Sequence, residues 1–207
     1  MSLFTLHNKE TAPKGSQDGL DAATEKFGFV PNVIGVLAES PSALDGYLGL
    51  SGLFGSGSFT PQEQQFILLV ISETNDCAYC VAAHSTGGKK SGLPAPLIEA
   101  VRQGRPIENP RMDALRNFTA GVVTHRGWVT DDDIRDFLNA GFTKAHILEV
   151  VLAVAMKTLS NYVNHMAVTA DGQVTRIGRE GHAAQRLGGF VVGLLAGDER
   201  RFVLLEP

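Results

Sequence analysis

Apolar and polar positions along the chain follow the spacing of helices, and no run alternates as a strand would before the C-terminal tail. Residues 31–37 and 41–53 have the length and the leading proline of short helices. From Pro61 an almost unbroken apolar run, FILLVIS, continues to about Glu73 and predicts a helix that is buried on several sides. The pattern therefore indicates an all-α fold.

Threonines mark the starts of three predicted helices. Thr60 stands three residues before Glu63, which is the spacing of a capping box. Thr130 begins a segment whose apolar residues fall on one side, and Thr143 begins the longest apolar segment, which continues to about residue 166. These caps predict where the helices begin.

The two ends of the chain lack the helical pattern. Residues 1–30 are polar and contain glycine, so we predict an irregular segment there, with residues 1–26 as an N-terminal arm. The segment 167–207 is rich in Gly and Arg, and we predict a tail of undefined structure. The helical domain is expected to span residues 27–166.

Composition and charge narrow the function classes. The chain has 43% hydrophobic and 19% charged residues, which is an ordinary globular composition. A net charge of −4 gives no support for nucleic acid as a partner. We see no secretory signal, and the most apolar run, residues 147–159, is interrupted by Glu149 and Lys157 and is too short to span a bilayer. We therefore expect a cytoplasmic protein without a membrane partner.

The stretch NDCAYCVAAHS holds both cysteines of the chain and one histidine. On a helix capped by Asn75 or Asp76, the residues Cys77, Cys80 and His84 stand at i, i+3 and i+7 and share one face. Cys77 would then lie in the first turn, where unpaired N–H groups and the helix dipole favour a thiolate. In a reducing compartment such a pair is more often catalytic or metal-binding than structural.

A thiolate in this arrangement can reduce a peroxide. Cys80 would attack the peroxide and become a sulfenic acid, Cys77 would condense with it to a disulfide, and an external dithiol would restore both thiols. His84 can take the thiol proton or, as an imidazolium, stabilise the thiolate. Two other interpretations stay open: small buried cysteines with an incidental histidine, and a zinc site that lacks its fourth ligand.

These segments resemble the AhpD-like, or carboxymuconolactone decarboxylase, superfamily of small all-helical proteins. ISETNDCAYCVAAHS is similar to the core of its peroxidase-related branch, and FGFVPNVIGVLAESPSAL to the branch's N-terminal segment. ILEVVLAVAMKTLSNYVNH resembles the closing helix, with Asn161, Asn164 and His165 in the expected places. The resemblance covers roughly residues 27–166.

The resemblance implies a helical bundle that assembles into dimers, trimers or hexamers, with the active site near a subunit interface. It implies reduction of alkyl hydroperoxides, with Cys80 as the peroxidatic thiol, Cys77 as the resolving thiol and His84 in a proton relay. The electron donor would be a dithiol carrier such as a lipoyl protein. No metal, haem or flavin cofactor would be required.

The sequence departs from the family pattern at the relay acid. Many members carry a glutamate about three helical turns before the first cysteine, where this chain has Gln65. Gln65 can form hydrogen bonds but cannot transfer a proton at neutral pH. Glu73, four residues before Cys77, is either a substitute acid or a solvated side chain near a helix end. We therefore add Glu73 to Cys80, Cys77 and His84 as a candidate catalytic residue.

The predicted function is a thiol-dependent peroxidase that acts on hydroperoxides. One alternative is the decarboxylase or lactone chemistry found elsewhere in the superfamily, in a branch that generally lacks the cysteine pair. The other is a non-catalytic, redox-sensing helical module whose disulfide only switches shape. The glutamine at position 65 gives the sensor interpretation some weight.

Overall fold

The computed structural model describes residues 3–167, and these form helices joined by short loops, with no strand among them. After a 3-10 turn at Lys14–Ser16, the helices are α1 (Gln17–Phe27), α2 (Asn32–Leu37), α3 (Pro41–Gly55), α4 (Pro61–Thr74), α5 (Ala78–Lys90), α6 (Ala95–Arg102), α7 (Pro110–Thr124), α8 (Asp131–Asn139) and α9 (Lys144–Met166). The all-α prediction is confirmed for this part of the chain. The prediction for the tail falls on residues outside it, from position 168 onward.

Helix α4 lies at the centre of the larger hydrophobic core. Phe66, Ile67, Leu69 and Ile71 are fully buried, and the helix packs against α5, α7 and α9. Burying apolar side chains on several faces removes more apolar surface from water than a one-sided helix could. The unbroken apolar run of α4 thus has the environment that its sequence predicted.

Three threonines cap helices as predicted. The hydroxyl of Thr60 accepts a hydrogen bond from the Glu63 N–H at 3.2 Å, and the Glu63 carboxylate accepts one from the Thr60 N–H at 3.0 Å. The same reciprocal arrangement begins α8 at Thr130 and α9 at Thr143. Each such cap is worth about 1 kcal/mol, so these local contacts fix where the helices begin.

The predicted irregular N-terminal segment is wrong in part, because α1 is a helix. Its residues Leu20 and Ala23 are buried in a second, smaller core that also contains Leu44 of α3. Gly19 permits this close packing, since a Cβ there would lie 2.7 Å from the Leu44 Cδ2. Because α1 has so few buried apolar residues, its sequence shows a helical pattern that is too weak to predict the helix.

A tight turn joins α4 to α5 and sets the position of the cysteines. Asn75 is the C-cap residue of α4, and Asp76 adopts a left-handed backbone conformation with φ 56°. The Cys77 N–H donates to the carbonyl of Ser72 at 2.9 Å, so α5 begins at once. Cys77 is itself the N-cap residue and Cys80 lies in the first turn. The predicted cap at Asn75 or Asp76 is therefore wrong, because both residues belong to the preceding turn.

Helix α9 carries polar side chains into the interior beside that turn. Lys157, Ser160, Asn161 and Asn164 are buried and recur at helical spacing, so they share one face. The side-chain amide of Asn75 donates to the Asn161 Oδ1 at 3.0 Å and ties the turn to α9. The structure thus brings a polar strip of α9 against the start of α5.

Between residues 3 and 167, no single helix has both the length and the apolar character needed to cross a membrane. Only α8 and α9 taken together meet that test by length and composition, and they are bent by 114° relative to one another.

Candidate active site

Cys77 and Cys80 lie side by side at the start of α5, both buried and both free thiols. The side-chain amide of Asn164 reaches them from α9, with its Nδ2 3.1 Å from the Cys80 Sγ and 4.0 Å from the Cys77 Sγ. The contact between the two thiols is the largest single cause of the shift in the pKa of each. The two thiols therefore act on one another and share the amide of Asn164 as a neighbour.

The surroundings move the pKa values of the two thiols in opposite directions. The hydrogen bond from Cys77, the positive charge of Lys157 and the amide of Asn164 outweigh the effect of burial and lower the pKa of Cys80 to about 5. The same thiol–thiol contact, burial and the neighbouring charge of Cys80 raise the pKa of Cys77. At neutral pH, Cys80 is therefore a thiolate and Cys77 a thiol.

His84 lies between Gln65 of α4 and Lys157 of α9. Its Nδ1 is 3.2 Å from the Gln65 Oε1, and its Nε2 is 3.0 Å from the Lys157 Nζ. An ammonium can only donate, so Nε2 accepts from Lys157 and Nδ1 carries the proton that is donated to Gln65. Burial and the charge of Lys157 hold the pKa of His84 well below its usual value, so the ring is neutral.

Lys157 is the residue of the candidate site that sequence reasoning missed. It is only 2% exposed, and it forms no ion pair with any carboxylate between residues 3 and 167. A buried ammonium needs a compensating anion, and the Cys80 thiolate fills that role. The sequence signal for its role is a lysine inside an apolar helix that is followed by polar residues three, four and seven positions later, at Ser160, Asn161 and Asn164.

Gln65 occupies the position where the resemblance expects a glutamate, and the structure brings it to His84. Gly87 makes room for it, because a Cβ at that position would lie 2.5 Å from the Gln65 Oε1. The histidine is therefore held by a neutral amide on one side and by a cation on the other.

Glu73, the predicted substitute acid, is half-buried in the last turn of α4. It does not line the cavity beside the thiols, and both nitrogens of His84 are engaged by Gln65 and Lys157. A catalytic role for Glu73 stays a prediction. His165, which the resemblance also marked, is exposed at the end of α9 and stacks on Tyr162 instead.

A cavity of about 350 Å³ opens onto Cys80. Cys80, His84, Lys157 and Asn164 line it, whereas Cys77 does not, so Cys80 is the sulfur that a ligand would meet. The apolar part of the wall consists of Phe27, Phe29, Pro31, Val33, Ile34 and Ala83.

Two tyrosines and an amide oxygen give this cavity further hydrogen-bonding groups. Burial and the charge of Cys80 raise the pKa of Tyr47 and of Tyr79 to about 12, so both keep their hydroxyl protons. The Asn164 Oδ1 is buried and has no hydrogen-bond partner among the described residues. Because buried polar atoms are normally paired, this oxygen is an open acceptor for the O–H group of a ligand.

A larger groove of about 740 Å³ lies between α4, α6 and α7. Glu63 and Arg111 line it and form an ion pair at 2.9 Å. Its lining side chains include neither a cysteine nor a histidine. The smaller cavity at Cys80 is therefore the candidate active site.

The described part of the chain contains no group of three or more His, Cys, Asp or Glu side chains placed to hold a metal ion. The zinc interpretation thus finds no ligand set at the cysteine motif. His84, its third proposed ligand, accepts a hydrogen bond from an ammonium instead.

The fold and this site define an all-helical protein with a Cys-x-x-Cys pair and a histidine on one helix. Residues 41–121 match the sequence model of the carboxymuconolactone decarboxylase family. No curated protein sequence matches the chain.

Solved structures share this fold. The alkylhydroperoxidase AhpD core protein from Ralstonia eutropha JMP134, described as an uncharacterized peroxidase-related protein, is 21% identical with a TM-score of 0.71, over 90% of this chain and 97% of that one. An uncharacterized peroxidase-related protein from Silicibacter sp. TM1040 is 20% identical with a TM-score of 0.66, over 84% and 94%. A cysteine-to-alanine variant of the debrominase Bmp8, in complex with 2,3,4-tribromopyrrole, is 15% identical with a TM-score of 0.67, over 90% and 98%. The family match over residues 41–121 and the shared fold both agree with the resemblance that the motifs indicated.

Proposed function

We propose that the chain is a thiol-dependent peroxidase in which Cys80 reduces a hydroperoxide and Cys77 resolves the product. The observation that carries this proposal is the position of Cys80 in the lining of the cavity, with Cys77 outside that lining and beside the same Asn164 amide. The thiolate is the nucleophilic form of cysteine, so the sulfur that faces the cavity is the one that attacks.

In the first step the Cys80 sulfur attacks the terminal peroxide oxygen. The S–O bond forms, the O–O bond breaks, and the departing alkoxide needs a proton to leave as an alcohol. We assign that proton to the ammonium of Lys157, whose charge balances the thiolate before the reaction. Cys80 becomes a neutral sulfenic acid as Lys157 becomes a neutral amine, so no isolated charge is left in the buried site.

In the second step the Cys77 thiol attacks the sulfenic sulfur. The S–S bond forms, and the hydroxyl of the sulfenic acid leaves as water with the proton of Cys77. Oxidation of Cys80 has by then removed its negative charge, one of the causes that raise the pKa of Cys77, so Cys77 ionises more easily at this stage. A dithiol such as a lipoyl group reduces the disulfide, and Lys157 regains its proton when Cys80 ionises again.

The same proposal includes a homo-oligomer. Helix α9 presents apolar side chains to the surface, with Leu148 70%, Tyr162 55% and Met166 60% exposed. Apolar side chains that share an exposed helix face commonly mark a protein contact. A second copy covering this face would bring a subunit interface next to the helix that supplies Lys157 and Asn164.

The test is steady-state loss of cumene hydroperoxide in the presence of excess dithiothreitol. The wild type is expected to consume many equivalents, and Cys80→Ser none. Cys77→Ser is expected to lose sustained turnover while its Cys80 is still oxidised. A redox sensor would instead consume one equivalent and stop, and a decarboxylase-type enzyme would be indifferent to both substitutions.

The cavity has an aromatic wall that consists of Phe27, Phe29, Tyr47 and Tyr79. This wall favours a second candidate function, the reductive removal of a halogen from an aromatic ring. Cys80 would take the halogen from carbon, the ring would gain a proton, and Cys77 would displace the halide to form the disulfide. The debrominase Bmp8 has the same fold at 15% identity, and this similarity supports the fold only. Bromide release from a bromopyrrole in the dithiothreitol assay, without consumption of hydroperoxide, would select this candidate.

A further inference from the structure

The cavity at Cys80 combines apolar walls with an excess of positive charge. Lys157 lines its floor, while Lys26, near the end of α1, and Lys90, at the end of α5, line its mouth. Among the described side chains that line it there is no aspartate or glutamate. Because the Cys80 thiolate balances Lys157, the two lysines at the mouth remain as the net charge of the site.

Neither of these lysines is held by a carboxylate within residues 3–167. Both are exposed, whereas Lys9, which is also exposed, is paired with Asp21 at 2.6 Å. The Lys26 Nζ lies 5.4 Å from the ring centre of Phe27, which lines the cavity as well. Lys26 and Lys90, which form no ion pair among the described residues, therefore lie at a cavity whose lining contains aromatic side chains.

The walls and volume limit the size of the ligand. A volume of about 350 Å³ is near the lower end of the range of about 300–1,000 Å³ for small-molecule sites. Apolar side chains and two tyrosines enclose this space, and the open acceptor on Asn164 lies beside the thiolate at its floor. A compact ring or a short branched chain fits such a space better than an extended lipid chain.

We propose that the substrate is a compact aryl or branched alkyl hydroperoxide that carries a carboxylate. Its peroxide group lies at Cys80, its apolar body contacts the aromatic wall, and its carboxylate lies between Lys26 and Lys90. This inference rests on the proposed peroxidase function and adds the substrate class. Positive charge at the mouth of an apolar cleft raises the local concentration of an anionic substrate and increases its association rate.

The experiment compares cumene hydroperoxide bearing a para-carboxylate with the methyl ester of the same compound. The wild type is expected to show a kcat/KM about ten-fold higher for the acid, and added salt should reduce this preference. Lys26→Gln and Lys90→Gln should each lower kcat/KM for the acid about two- to five-fold. Both should lower kcat/KM for the ester less than they lower it for the acid. Lys89→Gln is the matched control, since Lys89 is exposed beside Lys90 but does not line the cavity.

A binding measurement separates this inference from the peroxidase function. The tertiary alcohols that correspond to the two hydroperoxides cannot react, so their binding is measured by calorimetry on the same variants. Tighter binding of the carboxylated alcohol that depends on Lys26 and Lys90, without turnover of either hydroperoxide, would support the anion site and refute the peroxidase. Turnover of acid and ester at equal kcat/KM, or an equal effect of Lys89→Gln, would overturn the substrate class and leave the peroxidase standing.

Discussion

The Lys157 Nζ lies 3.0 Å from the Nε2 of His84, so a buried cation is one hydrogen bond away from the histidine of the cysteine motif. The charge of Lys157 lowers the pKa of Cys80 and of His84 together. The thiol is therefore activated by a fixed positive charge, while the histidine stays neutral.

Lys157→Met should remove this activation and keep the length of the side chain. The pKa of Cys80, about 5 in the wild type, is expected to rise by a unit or more. Alkylation by iodoacetamide at pH 6 should then slow by about two-fold for a rise of one unit and by about ten-fold for a rise of two units. The measurement is the pH profile of the alkylation rate. Lys144→Met, an exposed lysine at the start of the same helix, is the control. An unchanged profile in Lys157→Met would show that Lys157 does not set the thiol pKa.

Gln65→Glu should give His84 the carboxylate partner that the family pattern expects. A negative charge at the acceptor of the His84 Nδ1 favours the imidazolium, so the pKa of His84 should rise, measured by NMR titration of the ring. Gln62→Glu, an exposed position of the same helix, should leave the titration unchanged. If Gln65→Glu also leaves it unchanged, the contact between Gln65 and His84 does not exist in solution.

Gly87→Ala should disturb the site through Gln65 rather than through the helix. Alanine is a better helix former than glycine, but its Cβ would lie 2.5 Å from the Gln65 Oε1 and push the amide off His84. We expect peroxide turnover to fall in Gly87→Ala, with no further loss when Gln65→Ala is added. Additive losses in this double-mutant cycle would contradict the account.

How far the sequence predicts this site depends on the range of the contacts involved. The caps at Thr60 and Thr143 are local, so spacing alone was sufficient to predict them. The shared face of Cys80 and His84 follows from the helical repeat in the same way. The place of Gln65 in the site follows only from the family pattern, because its contact with His84 joins positions 19 residues apart.

The role of Lys157 could not be read from its neighbours in the sequence. Its contact with His84 joins positions 73 residues apart, and in the sequence it only interrupts an apolar run. Helix α1 was missed for a related reason, because its burial depends on the packing of Gly19 against Leu44 and not on a strong apolar face. The contact of Lys157 with His84 and the burial of α1 both depend on tertiary packing, which overrides the local sequence pattern.

The reduced protein should lose stability as the pH falls from 6.5 towards 5. In this window the folded state keeps Cys80 ionised and His84 neutral, while the unfolded chain binds a proton at each, so the unfolded state binds more protons. Each proton contributes a slope of about 1.4 kcal/mol per pH unit. Urea unfolding of Cys80→Ser should show a slope smaller by about one proton, and equal slopes would refute a thiolate in the folded state.

The most direct test of the central claim is a single turnover of the reduced protein with one equivalent of cumene hydroperoxide, followed by mass spectrometry. The account predicts that the peroxide is reduced to its alcohol, that the protein loses two hydrogen atoms, and that the peptide holding both cysteines carries a Cys77–Cys80 disulfide. Two free thiols beside unconsumed peroxide would contradict it.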